Sequence, residues 1–213
     1  MRDPHEQFPE GFFSRADEFD DASFYGPERM VTHIDEGAIA AVGQLYDDLG
    51  IDGTVLDLMS SWISHFATPP TDLTVLGMNQ RELDANPMAA RAVVHDLNRN
   101  ATLPFDDNSF DDAVCAVSVD YLTRPIDVFV DIARVVRPGG RFVCTFSNRC
   151  FPTKAIRGWL MATDQQRCQI VATYFALSGC FDAATIEDRS PSLAGDPLYA
   201  VWATVAETPK LAE

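Results

Sequence analysis

Basic residues are scarce in this sequence, and lysine is almost missing. Sixteen lysines and arginines stand against 32 aspartates and glutamates, which gives a formal net charge of -16, and only Lys154 and Lys210 are lysines. Nucleic-acid binding depends on neutralising phosphates, and anionic membranes attract basic segments. The composition therefore argues against nucleic acids and membrane surfaces as partners.

Recognisable metal, disulfide and membrane signals are also missing. The five cysteines are an odd number with no C-x-x-C pair, and the four histidines are scattered. These patterns predict neither a disulfide framework nor a metal site. No apolar run reaches the ~18 residues of a membrane span, and the first residues lack a signal-peptide core. We therefore expect a soluble, cytoplasmic protein.

Several catalytic signatures are missing as well. There is no G-x-S-x-G elbow, no P-loop and no G-x-G-x-x-G turn, which argues against a hydrolase and a nicotinamide-dependent dehydrogenase. What the sequence does have is 46% hydrophobic residues. That fraction is enough to form the core of one domain of ordinary size.

The chain divides into three parts. Residues 1–33 are rich in aromatic residues but have no clear periodicity, so they form either a disordered arm or a lid packed over a groove, and the aromatic content favours packing. Residues 34–206 are predicted to form the folded domain, and 207–213 a tail. Apolar residues at helical spacing predict a first helix over 35–49, with Gly50 as its C-cap.

Strand and helix patterns alternate along the predicted domain. Strands are predicted at 54–58, 73–77, 91–95, 112–118, 141–146, 182–187 and 198–205. Further helices are predicted at 79–86, 125–136 and 154–178. Such alternation indicates an α/β fold with a mainly parallel sheet covered on both faces. The last two strands are close in sequence, which favours an antiparallel pair at the edge.

Residues 103–146 carry the most specific pattern. They contain L-P-F-D-D-N-S-F-D-D-A-V, then Y-L-T-R-P, then A-R-V-V-R-P-G-G-R-F. These segments closely resemble class I S-adenosylmethionine-dependent methyltransferases of the type 11 group, and the resemblance covers roughly residues 40–205. It implies a three-layer, Rossmann-like sandwich with a seven-stranded, mostly parallel sheet and an antiparallel edge strand. It also implies S-adenosylmethionine as cofactor, S-adenosylhomocysteine as product and a small-molecule acceptor. Whether the protein forms a homodimer is left open.

The resemblance assigns cofactor-binding positions at the carboxyl ends of the first four strands. Asp57 would orient the loop that holds the methionine part of the cofactor, and Asn79 stands where the family usually has an acid gripping the ribose hydroxyls. Asp96 matches the acid that accepts from the adenine amino group, with Leu97 supplying a backbone amide. The full set of implied positions is Asp57, Met59, Ser60, Ser61, Asn79, Gln80, Asp96, Leu97, Ser118 and Val119.

The sequence departs from the family pattern in two places, the loop after the first strand and Asn79. The family loop reads D-x-G-x-G-x-G, whereas Met59, Ser61 and Ile63 occupy the glycine positions here. Serine hydroxyls can hydrogen-bond a carboxylate, so Ser60 and Ser61 are candidates to replace lost contacts. Asn79 is uncharged, so its hydrogen bonds to the ribose would lack the charge assistance that the family's acid provides. Asn79 also fits a helix N-cap that is followed three residues later by a glutamate. These departures leave an alternative open, a non-catalytic methyltransferase-like protein that binds a ligand or regulates.

No catalytic residue is assigned, but five candidates are named. Asp120 and Tyr121 follow the central strand and could face the transferred methyl group, or simply pack in a loop. Asn148 and Arg149 follow the fifth strand, on a loop that also carries Lys154. His33 lies two residues from Asp35 and is a candidate general base, although Asp35 equally suits a helix start.

Overall fold

The computed structural model describes residues 3–191 and 194–207. Its strands are β1 (Thr54–Leu58), β2 (Asp72–Gly77), β3 (Arg91–Val94), β4 (Asp112–Ala116), β5 (Arg141–Phe146), β6 (Thr185–Asp188) and β7 (Tyr199–Thr204). Its α-helices are α1 (Asp21–Tyr25), α2 (Glu36–Leu49), α3 (Gln80–Asp84), α4 (Pro125–Val135), α5 (Arg157–Leu160) and α6 (Asp164–Ser178). Short 3-10 helices lie at Pro4–Gln7 and Val119–Tyr121. In this part of the chain, no helix is long and apolar enough to cross a membrane.

The seven strands form one sheet in the order β3-β2-β1-β4-β5-β7-β6. All neighbours pair in parallel except β7, which runs antiparallel to both β5 and β6. The predicted α/β fold with a seven-stranded, mostly parallel sheet is therefore confirmed. The strand order reverses between β1 and β4, and ligands bind open α/β sheets at such switch points, outside the carboxyl ends of the strands.

Both faces of the sheet are buried. Successive side chains of a strand point to opposite faces, and β1 follows this rule. Val55 joins the apolar cluster that contains residues of α2, whereas Leu56 and Leu58 join the cluster that contains residues of α4 and α6. The central strands are therefore apolar along nearly their whole length, and the polar Asp57 is an exception in β1.

The first domain helix begins and ends as its sequence predicts. The Asp35 carboxylate accepts from the Ala38 backbone N–H at 2.8 Å, and Gly50 ends α2 in the left-handed region at φ 63°. The second Asp35 oxygen accepts from the Asp196 N–H at 2.8 Å. Asp35 therefore acts as the helix-start residue.

The single helix predicted over 154–178 is wrong. The chain forms α5 and α6 instead, and residues 161–163 separate them. Thr163 accepts from the Gln166 backbone N–H, and the Gln166 side chain accepts from the Thr163 N–H. This reciprocal capping box starts a new helix at Asp164 because it satisfies two backbone donors at the helix start.

The N-terminal arm packs on the domain. Phe8, Phe12 and Phe13 contact the apolar cluster on the α4 and α6 face of the sheet. Gly158 in α5 lies directly against the Phe12 ring, so closely that a Cβ at this position would collide with it. From α1 onward the arm crosses the carboxyl ends of the strands, where it lines a cleft.

Candidate functional site

A cavity of about 130 Å³ lies at the carboxyl ends of β1, β2, β3 and β4. Strand-end loops form its floor, and arm residues such as Tyr25 and Arg29 form its cover. Eight of the ten cofactor positions implied by the sequence line it: Asp57, Met59, Ser60, Ser61, Asn79, Asp96, Leu97 and Ser118. The topology thus brings together residues that are up to 61 positions apart in the chain.

Two of the implied cofactor positions lie outside this cavity. Gln80 is exposed, and its amide donates to Asp84 at 2.7 Å along the outer surface of α3. Val119 is 1% exposed and belongs to the apolar core. Each follows directly after a cavity residue in sequence, but the helical turn at that point rotates its side chain away.

The loop after β1 has the kind of backbone turn that usually contains glycine, although this loop has none. Met59 adopts φ 53°, in the left-handed region that costs a side-chain-bearing residue about 1–2 kcal/mol. Gly77 at the end of β2 makes room for this loop, because a Cβ there would collide with the Ser60 carbonyl oxygen. The backbone shape is therefore retained, although Met59 and Ser61 occupy family glycine positions.

Asp57 is buried beneath this loop and is held by two hydroxyls. Its carboxylate accepts from Ser60 Oγ at 2.7 Å and from Ser64 Oγ at 2.6 Å. Burial raises the pKa of Asp57 to about 6, against the lowering effect of the two hydroxyl donors. The carboxyl group therefore organises the loop from below.

The two loop serines donate within the protein. The Ser60 hydroxyl donates to Asp57, and the Ser61 hydroxyl donates to Glu82 Oε2 at 2.6 Å. A hydroxyl has a single proton to donate. In this conformation neither serine has one left for a ligand carboxylate, so the suggested replacement of lost contacts is not seen.

Asn79 caps α3 and holds the arm. Its Oδ1 accepts from the backbone N–H groups of Arg81 at 3.1 Å and Glu82 at 3.4 Å. Its Nδ2 donates to the carbonyl oxygens of Tyr25 at 3.1 Å and Gly26 at 2.9 Å. The expected N-cap is present, but the capping box is only half formed, because the Glu82 side chain turns into the cavity.

The loop after β3 leaves two polar groups at the cavity. Asp96 Oδ1 accepts from the N–H groups of Asn98 at 2.9 Å and Arg99 at 3.2 Å. Within the described residues, Asp96 Oδ2 and the Leu97 N–H make no hydrogen bond. Buried backbone N–H groups are rarely left without a partner, so a ligand that pairs with Leu97 and Asp96 fits this edge.

Residues 19–33 of the arm, termed the strap, are tied to the loops at the cavity rim. Lys154 Nζ donates to the Phe19 carbonyl oxygen at 2.9 Å, and Asn98 Nδ2 donates to Asp21 at 2.9 Å. These contacts fix the first part of the strap to the loops after β5 and β3.

The second part of the strap is tied to the loops after β1 and β2. Trp62 Nε1 donates to the Val31 carbonyl oxygen at 3.2 Å, and the Arg29 N–H donates to Glu82 Oε1 at 2.7 Å. Together with Asn79, these contacts close the cavity on the side opposite the sheet.

Two of the five catalytic candidates line the cavity. The Tyr121 hydroxyl accepts from the Phe151 N–H at 2.9 Å, and His33 faces the Phe151 ring edge-on with 5.1 Å between centroids. Partial burial lowers the pKa of the His33 imidazole below its usual value; the Glu82 carboxylate acts to raise it, and the Arg29 charge acts to lower it. A neutral imidazole at neutral pH can accept a proton.

The other three candidates do not reach the cavity. Asn148 and Arg149 are exposed, and Arg149 Nε donates to Asp196 at 2.8 Å. The Asp120 side chain is 2% exposed, outside the cavity lining, and its Oδ2 has no hydrogen-bond partner in the described residues. Burial raises the pKa of Asp120 to about 8.

Sequence reasoning missed Glu82 and Asn98. Glu82 is buried and lines the cavity beside Asn79, but its spacing from Asn79 matched a capping box, which concealed a second use. Asn98 contacts the strap, the Tyr121 carbonyl oxygen and the Thr123 N–H. Its position in the polar stretch after β3 is the sequence feature that could have indicated a role at the site. Across the described residues, no group of three or more histidines, cysteines and acids could hold a metal ion.

Comparison with known proteins agrees with this geometry. Residues 56–144 match the type 11 family model described as a methyltransferase domain. This segment is a type 11 methyltransferase domain. The family prediction made from the 103–146 segment is thereby confirmed, and the cofactor that this family implies is S-adenosylmethionine. None of the curated proteins matches the sequence.

Solved structures share the fold at low sequence identity. A methyltransferase from Aquifex aeolicus aligns with a TM-score of 0.58 and 12% identity, over 89% of this chain and 100% of that one. The cyclase SpnF aligns with a TM-score of 0.56 and 16% identity, over 87% and 91%. The geranyl diphosphate C-methyltransferase from Streptomyces coelicolor A3(2), solved with S-adenosylhomocysteine, aligns with a TM-score of 0.52 and 16% identity, over 78% of each chain. At these identities the likeness establishes the fold alone.

Proposed function

We propose that this protein transfers a methyl group from S-adenosylmethionine to a small-molecule acceptor. The observation that carries the proposal is the cavity at the carboxyl ends of β1–β4, lined by eight of the ten family-implied cofactor positions. Open α/β sheets bind ligands at this edge. Methyl transfer is the reaction that fits a type 11 methyltransferase domain with this cavity.

The residues present fit the cofactor at two ends. The unpaired Asp96 oxygen and the Leu97 N–H suit the donor and acceptor edge of an adenine ring. Asp57 and the left-handed turn at Met59 suit the methionine end, where backbone must approach the ligand closely. When bound, the cofactor supplies an electrophilic methyl group on a sulfonium.

The protein's contribution to such a reaction is positional. Methyl transfer needs the nucleophile in line with the sulfonium, and correct orientation alone supplies a large part of a rate enhancement. Tyr121 and His33 line the cavity together with Phe151, which both of them contact, so we assign the acceptor to this group of residues. Strap residues line the cavity on one side, which favours a small acceptor over a macromolecule.

Replacement of Asp96 with alanine is expected to weaken S-adenosylhomocysteine binding by about tenfold or more, because one hydrogen bond to a charged acceptor is lost. Isothermal titration calorimetry with S-adenosylmethionine and S-adenosylhomocysteine measures this. Asp72→Ala is the matched control: it removes the same charge from an exposed position at the opposite edge of β2. No heat and no thermal shift with the unaltered protein at millimolar ligand would refute the proposal.

A second candidate is a methyltransferase-like protein that binds a ligand without methyl transfer. It is favoured by the occupied amide of Asn79 and the occupied hydroxyls of Ser60 and Ser61. The cyclase SpnF also shares the fold, so fold alone does not dictate methyl transfer. Binding of S-adenosylmethionine with no S-adenosylhomocysteine formed across a panel of phenols, amines, thiols and carboxylic acids would support this second candidate.

A further inference from the structure

The geometry points to Glu82, rather than Asn79, as the residue that binds the ribose hydroxyls of the cofactor. This inference rests on the proposed function and identifies a binding residue that the family pattern does not predict. Both side chains line the cavity at the end of β2, three residues apart at the start of α3. They differ in how many hydrogen-bonding positions remain available.

Asn79 has no position left for a ribose hydroxyl. A side-chain amide offers two acceptor positions on its oxygen and two protons on its nitrogen. Both acceptor positions are occupied by the N–H groups that start α3, and both protons go to strap carbonyl oxygens. Binding a ligand here would first require the cap or the strap contact to break.

Glu82 has acceptor positions in reserve. Its Oε1 accepts one hydrogen bond, from the Arg29 N–H, and its Oε2 accepts one, from the Ser61 hydroxyl. A carboxylate has about four acceptor positions, so about two remain, one on each oxygen. Two neighbouring ribose hydroxyls supply two donors, which matches this number.

The burial of Glu82 favours the same assignment. Glu82 is 9% exposed, and within the described residues no lysine, arginine or histidine forms an ion pair with it. A buried carboxylate that lacks an ion-pair partner depends mainly on the hydrogen bonds it accepts. Two further donors from a ligand would therefore bind more favourably here than at an exposed acid.

The conformation of Glu82 is also prearranged. In a complete capping box this side chain would reach back to the Asn79 N–H. Here the contacts from Ser61 and Arg29 hold it in the cavity wall instead. A side chain already fixed in place loses little conformational freedom on binding.

The test compares Glu82→Gln with the unaltered protein, using S-adenosylhomocysteine and its 2′-deoxy analogue in calorimetry. The unaltered protein is expected to bind the deoxy analogue about tenfold more weakly. Glu82→Gln is expected to bind S-adenosylhomocysteine about tenfold more weakly and to lose most of the discrimination between the two ligands. Asp84→Asn removes the same charge from the exposed side of α3 and should change neither affinity.

Three results would overturn the inference. Glu82→Gln binding S-adenosylhomocysteine within about twofold of the unaltered protein would show that Glu82 does not bind the ribose. An equal loss for both ligands would show a structural role only. Loss of discrimination in Asn79→Ala, with discrimination intact in Glu82→Gln, would return the role to Asn79. If Asp96→Ala weakens binding while Glu82→Gln does not, the proposed function survives and only this inference fails.

Discussion

Replacing Asp21 with asparagine is expected to lower the free energy of unfolding by about 3–5 kcal/mol, because it removes the buried carboxylate that two buried cations share. The acids that remain, Asp17 for Lys154 and Glu18 for Arg15, are more exposed and lie 3.2 and 3.8 Å away. Asp21 accepts from Arg15 Nη1 with both oxygens, at 2.9 and 2.8 Å, and its Oδ1 lies 2.9 Å from Lys154 Nζ. The side chains of Arg15, Asp21 and Lys154 are 6%, 3% and 0% exposed. For a chain of this size the loss corresponds to a fall in melting temperature of about 6–20 °C.

Three further variants show whether the effect comes from the buried charges. Glu28→Gln removes an acid of the same strap whose partner Arg81 is exposed, and such surface pairs contribute about 0–1 kcal/mol. Lys154→Met, made alone and in combination with Asp21→Asn, removes one of the buried cations. The double variant should therefore be less destabilised than the sum of the two single variants. Purely additive effects, or a loss as small as that of Glu28→Gln, would contradict the prediction. Chemical denaturation of the unaltered protein, the three single variants and the double variant measures these differences.

The sheet was predictable because its determinants are local. β1 and β4 are apolar runs whose length and composition distinguish them from helices, and the family segment at 103–146 fixed their order in the fold. Asp57 and Asp96 were predictable because each ends a strand, and the carboxyl ends of parallel strands meet at one edge. The break between α5 and α6 was missed because helical spacing continues across Thr163, and only the capping box marks the new start.

The strap contacts were not predictable from the sequence for a physical reason. Phe19, Tyr25, Gly26 and Val31 all contribute backbone carbonyl oxygens, which every residue possesses, so residue identity gives no signal. Lys154 was noticed as a rare lysine on a loop, but its complete burial depends on acids that are more than 130 positions earlier in the chain. Long-range charge pairing of this kind is set by tertiary packing alone.

The second large expected effect is a pH dependence of stability that arises from Asp120. An unfolded aspartate has a pKa near 3.9, whereas burial raises the pKa of Asp120 to about 8 in the folded protein. Between these values the folded state holds a proton that the unfolded state has released. The free energy of unfolding therefore falls as the pH rises through this window, by about 1.4 kcal/mol per pH unit from this group.

The range from pH 6.5 to 8 isolates this group best. Asp57 has a folded pKa of about 6, so it changes the pH dependence of stability mainly below this range. The same is true of His65, because burial lowers its pKa to about 4. Asp120→Asn cannot ionise, so its stability relative to the unaltered protein is expected to rise by about 2 kcal/mol across these 1.5 pH units. Urea unfolding at three pH values with linear extrapolation measures the difference.

Asp182→Asn serves as the control, because Asp182 is an exposed acid and its replacement should leave the pH dependence unchanged. If the stability curves of Asp120→Asn and the unaltered protein stay parallel from pH 6.5 to 8, Asp120 is ionised throughout this range. Its charge would then be paired with a group such as Arg167, whose charge acts to lower the pKa of Asp120. A relative stability of Asp120→Asn that falls as the pH rises would also contradict the prediction. Only a stability of Asp120→Asn that rises with pH relative to the unaltered protein is consistent with a neutral, buried Asp120 carboxyl group. A neutral Asp120 adds no negative charge near Tyr121, which belongs to the group of residues assigned to the acceptor.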